Sequence, residues 1–136
     1  MTTTAPQTLS VIVEREIPYP PEKIWRALTQ PHLIEEWLMK NDFQPVVDHP
    51  FNFRGDWGAV DCRVLEVEAS KSLSYTWEAF GLESVVTWTL TPTSTGTHLR
   101  MEQSGFQPDQ QQFYKGAQAS WPQFVAALEQ VAARLD

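Results

Sequence analysis

The sequence predicts an α+β fold: a curved antiparallel sheet of about seven strands over one long C-terminal helix, with two short helices after the first strand. Three observations predict it. Strand-like runs with brief, turn-rich separators fill the chain from Phe43 to Ser104, and short connections between successive strands give antiparallel pairing. After Gly105-Phe106 the apolar spacing changes from two to three and four, which is the change from strand to helix. Six tryptophans are present, and most recur at positions facing one interior surface.

The elements follow in order. Leu9–Ile17 alternates as a first strand, with Leu9, Val11 and Val13 on one face and Ile12 on the other. Pro18, Pro20 and Pro21 end it, and Pro21 suits a first helical turn because its missing N–H would be unpaired there. The helix Pro21–Leu28 offers Ile24, Trp25 and Leu28, and a second, about Pro31–Met39, offers Ile34, Trp37 and Leu38. Strands are expected at Phe43–Val47, Phe51–Arg54, Val60–Ala69, Ser72–Glu78, Glu83–Thr91 and Thr97–Ser104. Leu73, Tyr75 and Trp77 share one strand face, and Val86, Trp88 and Leu90 share another. The last element carries a stripe of Phe113, Ala117, Trp121, Phe124, Leu128, Val131 and Leu135. Pro122 removes an N–H from it, and Ser120 with Gln123 matches a capping box. A kink or restart is therefore expected near Ser120, with the helix running to about Arg134.

The Trp-rich sheet face needs a cover, and the terminal helix is the one element long enough to provide it. A strongly curved sheet closing on one helix leaves space between them, a helix-grip arrangement. Its indoles are expected to border a void, which suits a flat apolar ligand.

Composition bounds the partners. Residues 1–136 are the size of one domain. The net charge of −7 and scattered basic residues argue against nucleic acid and anionic membrane, whose recognition needs clustered Lys and Arg. No window approaches a membrane span. The first eight residues have neither the basic nor the apolar region of a signal peptide, so a cytoplasmic location is expected. Cys62 is the single cysteine, which excludes an intrachain disulfide and reads as a half-buried structural thiol in a strand.

Catalytic motifs are missing. No Gly-x-Ser-x-Gly elbow and no Gly-x-Gly-x-x-Gly loop occurs, so no cofactor is expected. His32, His49 and His98 share no metal-ligand spacing, and each reads as a solvated histidine. Glu35 and Glu36 are adjacent on a helix and do not face each other, while Glu14 and Glu16 share a strand face that reads as solvated.

The residues Ile17-Pro18-Tyr19-Pro20-Pro21-Glu22-Lys23-Ile24-Trp25-Arg26-Ala27-Leu28, then Thr29-Gln30-Pro31 leading to Glu36-Trp37-Leu38, resemble the START-like (SRPBCC) superfamily. So do Val64–Glu68 with Leu73–Trp77, Thr97–Arg100 leading to Ser104-Gly105-Phe106, and Trp121 in the final helix. Within that superfamily the chain looks like the bacterial branch similar to the activator of the heat-shock chaperone (Hsp) ATPase homologue. The resemblance covers about Leu9 to Leu135 and implies a single START-like domain, a container for apolar molecules.

The candidate lining is Trp37, Trp77, Trp88 and Trp121 with Phe43, Phe53, Met101, Phe113 and Phe124; Arg54, Glu78 and Gln103 are candidate polar groups at the mouth. The leading expectation is non-enzymatic binding of a small hydrophobic or aromatic molecule. The resemblance also implies two alternatives. One is a polyketide cyclase or dehydratase, in which Glu78 or Tyr75 would move protons. The other is an interaction domain whose partner is a chaperone or a second copy of the chain.

Overall fold

A computed structural model describes residues 8–56 and 58–135; the stretch Met1–Gln7, read above for a signal peptide, lies outside them. The elements are β1 (Leu9–Ile17), α1 (Pro21–Thr29), α2 (Pro31–Trp37), β2 (Lys40–Asn41), β3 (Pro50–Gly55), β4 (Gly58–Glu68), β5 (Ser72–Ala79), β6 (Leu82–Pro92), β7 (Thr97–Phe106) and α3 (Gln111–Ala133). One antiparallel sheet runs in the order β1-β7-β6-β5-β4-β3-β2. β2 to β7 therefore form a meander, and β1 returns to pair with its last strand.

Register explains the two faces. Val67, Leu73, Trp88, Met101 and Val13 lie opposite one another in a row across β4, β5, β6, β7 and β1. A parallel row holds Val64, Tyr75, Val86, Gln103 and Val11, so Gln103 is the one polar member of two apolar rows. Residues one position along point the other way. There Ser72, Thr89, Arg100 and Glu14 form a solvent-facing row, and Ile12 is exposed as its alternation requires. Leu65 interrupts β4 at a register shift between Val64 and Glu66 and is left exposed.

Two expected boundaries differ. Residues 43–47 form no strand; the edge pairing falls on Lys40 and Asn41, opposite Arg54 and Phe53. Asn41 is the cause: its side chain accepts from the Phe43 N–H at 3.1 Å and donates to the carbonyls of Pro31 and Met39, fixing a local turn instead of a ladder. Pro45 then has no N–H to offer. The second helix also stops at Trp37, not Met39, because Leu38 leaves helical geometry at ψ −85°.

The third difference is larger. α3 starts at Gln111 and runs unbroken to Ala133, with Ser120 and Pro122 inside it. Gln123 Nε2 donates to the Ala119 carbonyl at 3.2 Å, supporting the turn around the proline. An internal proline costs about 3 kcal/mol. Trp121, Val125, Leu128 and Val131 are all buried on the same helix, and each buried side chain of this size contributes roughly 1.5–3 kcal/mol. Packing outweighs the proline. All the buried residues of α3 lie from Trp121 onward; none lies in the first ten residues.

Candidate functional site

None of the first ten residues of α3 is buried, although Tyr114 meets Phe106 of β7 at 5.6 Å between ring centroids, and a pocket of about 350 Å³ lies between this half of the helix and the sheet. β5 and β6 supply Trp77 and Leu82, β7 supplies Gln103 and Phe106, the chain after α2 supplies Leu38 and Met39, and α3 supplies Phe113, Gly116, Ala117, Ser120, Trp121 and Phe124. None of these twelve side chains is titratable.

The nine expected lining residues divide. Trp77, Phe113, Trp121 and Phe124 form part of the wall. Trp37, Phe43, Phe53, Trp88 and Met101 are buried behind it. Of the four indoles expected to border one void, Trp77 and Trp121 border the pocket and Trp37 and Trp88 do not, and successive indoles meet. Trp37 and Trp88 are 5.6 Å apart, Trp88 and Trp121 5.8 Å, and Trp77 and Trp121 5.5 Å between ring centroids, all edge to face. Aromatic quadrupoles favour that geometry, so the indoles pack against one another and the apolar pocket lies beside Trp77 and Trp121. Phe43 and Phe53 pack with Phe51 and Tyr75 as a second aromatic group.

Gln103 is 2% exposed and joins both sides of the site. Trp121 Nε1 donates to its Oε1 at 2.7 Å, its Nε2 donates to Ser84 Oγ at 2.9 Å, and Ser84 Oγ donates to the Trp77 carbonyl at 2.8 Å. The direction of this chain is fixed by chemistry, because an indole N–H can only donate and a carbonyl can only accept. α3 is thereby tied to β7, β6 and β5 through one buried polar relay. The sequence offered Gln103 as a candidate polar group at the mouth; the relay depends on tertiary placement that no spacing reveals.

The other polar candidates lie elsewhere. Arg54 is exposed and donates to Asn52 Oδ1 at 2.9 Å. Glu78 is exposed on the outer face, opposite Asp61 and Glu83. Tyr75 is buried, with its hydroxyl accepting from Trp88 Nε1 at 3.0 Å, and burial pushes that hydroxyl above the usual phenol range. Burial, reinforced by the carboxylates of Asp61, Glu78 and Asp42, likewise pushes the Cys62 thiol up, leaving it protonated and a poor nucleophile.

His98 is not simply solvated. Its Nδ1 lies 2.5 Å from Glu16 Oε1 and its Nε2 2.9 Å from Glu14 Oε1, so both carboxylates of β1 bracket one imidazole on β7. These hydrogen bonds raise its pKa from the ordinary histidine value. The signal in sequence was the i, i+2 pair Glu14 and Glu16, but the partner strand had to be known. Among the described residues, no group of three or more His, Cys, Asp and Glu side chains could hold a metal ion, and no helix is long and apolar enough to cross a membrane.

A curved seven-stranded sheet gripping a terminal helix, with an apolar pocket between them, defines a START-like domain. The family described as Activator of Hsp90 ATPase homolog 1-like protein matches residues 18–133, and the chain belongs to it. A protein from Mesorhizobium loti of known structure is 64% identical, with a TM-score of 0.91 over 94% of this chain and 99% of that one. A protein of the dynemicin biosynthetic locus is 26% identical, with a TM-score of 0.82 over 92% of this chain and 47% of that one. The Aha1 dimer from Colwellia psychrerythraea is 20% identical, with a TM-score of 0.81 over 89% of this chain and 93% of that one; this likeness is one of fold. No curated protein matches the chain significantly.

Proposed function

We propose that the domain binds a small hydrophobic or aromatic molecule in the pocket under the first half of α3 and carries out no chemistry on it. The observation that carries this reading is an apolar recess of about 350 Å³ with a single buried polar side chain in its wall, at the lower end of the size range of small-molecule sites. Burying about 200 Å² of apolar ligand surface there contributes roughly 5 kcal/mol before ordering costs, enough for micromolar binding when those costs are small. Trp77 and Trp121 in the wall report occupancy directly. Thermal-shift and tryptophan-fluorescence titrations with a panel of two- and three-ring apolar compounds test it. Saturable binding that raises the melting temperature is expected; no saturation by any member would overturn it.

A cyclase or dehydratase reading draws support from the 26%-identical protein of the dynemicin locus. It requires a proton-transfer group at the ligand, and the lining residues offer none. A chaperone or homodimer role draws on the family description and the Aha1 dimer. Sedimentation and a chaperone pull-down distinguish it from ligand binding.

A further inference from the structure

We infer that the pocket selects an uncharged ring compound carrying one hydrogen-bond acceptor, and that the second amide N–H of Gln103 is the group that recognises it. This rests on the pocket being the binding site.

The inference follows from counting donors. A glutamine amide has two N–H donors and one carbonyl oxygen. The relay uses the oxygen for Trp121 Nε1 and one N–H for Ser84 Oγ. The amide cannot be turned round, since an indole N–H facing an NH₂ group would leave two donors opposed. One N–H of Gln103 therefore remains without a partner among the described residues, on a side chain that is 98% buried and forms part of the pocket wall. A buried donor without an acceptor is costly, and a ligand acceptor at that point removes the cost. The wall's other polar groups are the hydroxyl of Ser120 on α3 and the indole N–H of Trp77 on β5; both residues are half-buried and partly open to solvent, whereas Gln103 is not. Charge of either sign is disfavoured by the same inventory, since no Asp or Glu lines the space to pair with a cation. No Lys, Arg or His lines the space, and an unpaired carboxylate there would lose its hydration without compensation. The relay also holds Gln103 rigid, so little rotamer freedom is lost on binding.

Three probes of nearly equal shape separate the possibilities: 2-acetylnaphthalene, 2-isopropenylnaphthalene and 2-naphthoate. They differ in having a neutral acceptor, no acceptor, and a charged acceptor. Calorimetric titration of the whole chain should show the ketone binding about tenfold tighter than the alkene, the difference made by one hydrogen bond, and the carboxylate binding more weakly than either. In Gln103→Met the ketone and alkene should become equal, while Ser120→Ala should keep the preference. NMR of the Trp121 indole N–H should shift with the ketone more than with the alkene.

Equal affinities of ketone and alkene for the native protein would overturn the inference and leave the pocket reading standing, as would a preference lost in Ser120→Ala. Failure of all three probes to bind, with other ring compounds also failing, would remove the pocket reading itself. Because the comparison between probes is made on the unaltered protein, it stands even if Gln103→Met folds poorly.

Discussion

Gly116→Leu should make the protein more stable and weaken ligand binding at the same time. Gly116 lies inside α3 and on the pocket wall, and a Cβ built on it meets nothing within 4 Å. Replacing a helix-interior glycine gains about 0.8 kcal/mol in helix propensity. Half-burying a leucine over the pocket adds roughly 1 kcal/mol, and restricting its rotamers takes back about 0.5 kcal/mol. The net gain is about 1.3 kcal/mol, equivalent to roughly 4–6 °C in melting temperature for a domain of this size. The same side chain occupies space a ligand would need, and overpacking of 1–3 kcal/mol weakens binding by about tenfold or more. Differential scanning calorimetry gives the first quantity and titration with any ring compound bound by the native chain gives the second. A lower melting temperature would mean that the space beside Gly116 is not free. Unchanged binding would place the ligand outside this pocket.

Trp121→Phe removes the donor to Gln103 Oε1 and leaves a buried oxygen unpaired, so urea unfolding should show a loss of about 2–4 kcal/mol. Gly96→Ala should be worse tolerated than its surface position suggests, because a Cβ there would lie 2.2 Å from the Ile17 carbonyl oxygen; a loss exceeding about 3 kcal/mol in the same assay is expected, and a smaller one would show that the β6–β7 turn can move away from β1. The bracketing of His98 by Glu14 and Glu16 raises its folded-state pKa, so its stabilising contribution is fully present below the unfolded value near 6.5 and is lost as pH rises through the raised folded value. NMR titration of the His98 ring should show that raised pKa falling back in the Glu14→Gln, Glu16→Gln double variant; an unchanged midpoint would refute the bracketing.

Alternation and period carried most of the fold. Leu73, Tyr75 and Trp77, and Val86, Trp88 and Leu90, fall on the inner face as their spacing required, because a one-residue slip would turn every one of them to solvent. The stripe on α3 was legible too, although Val125 and Ala132 are buried and the stripe did not include them. Where reading failed, a local signal lost to a tertiary one. Ser120 and Gln123 form a capping box in print, yet Trp121 and Val125 bury more than Pro122 costs. Residues 43–47 look like a strand until the Asn41 side chain takes the Phe43 N–H. The site was half legible for a related reason. Aromatic type and face can be read from the chain, but whether two indoles touch or part is a matter of sheet curvature. Edge-to-face packing of Trp37, Trp88 and Trp121 consumes the volume that the composition alone assigned to a cavity.

One pair of side chains at the opposite end from the pocket has a further effect. Arg15 has the inward parity of β1, opposite Leu99, and its Nε meets Glu129 Oε1 of α3 at 2.6 Å. An inward charge on an edge strand discourages another strand from docking there. Here it also joins the edge strand β1 to the terminal helix. The C-terminal half of α3 is thus fastened to the edge of the sheet by a charge pair, while the buried relay through Gln103 fastens its middle.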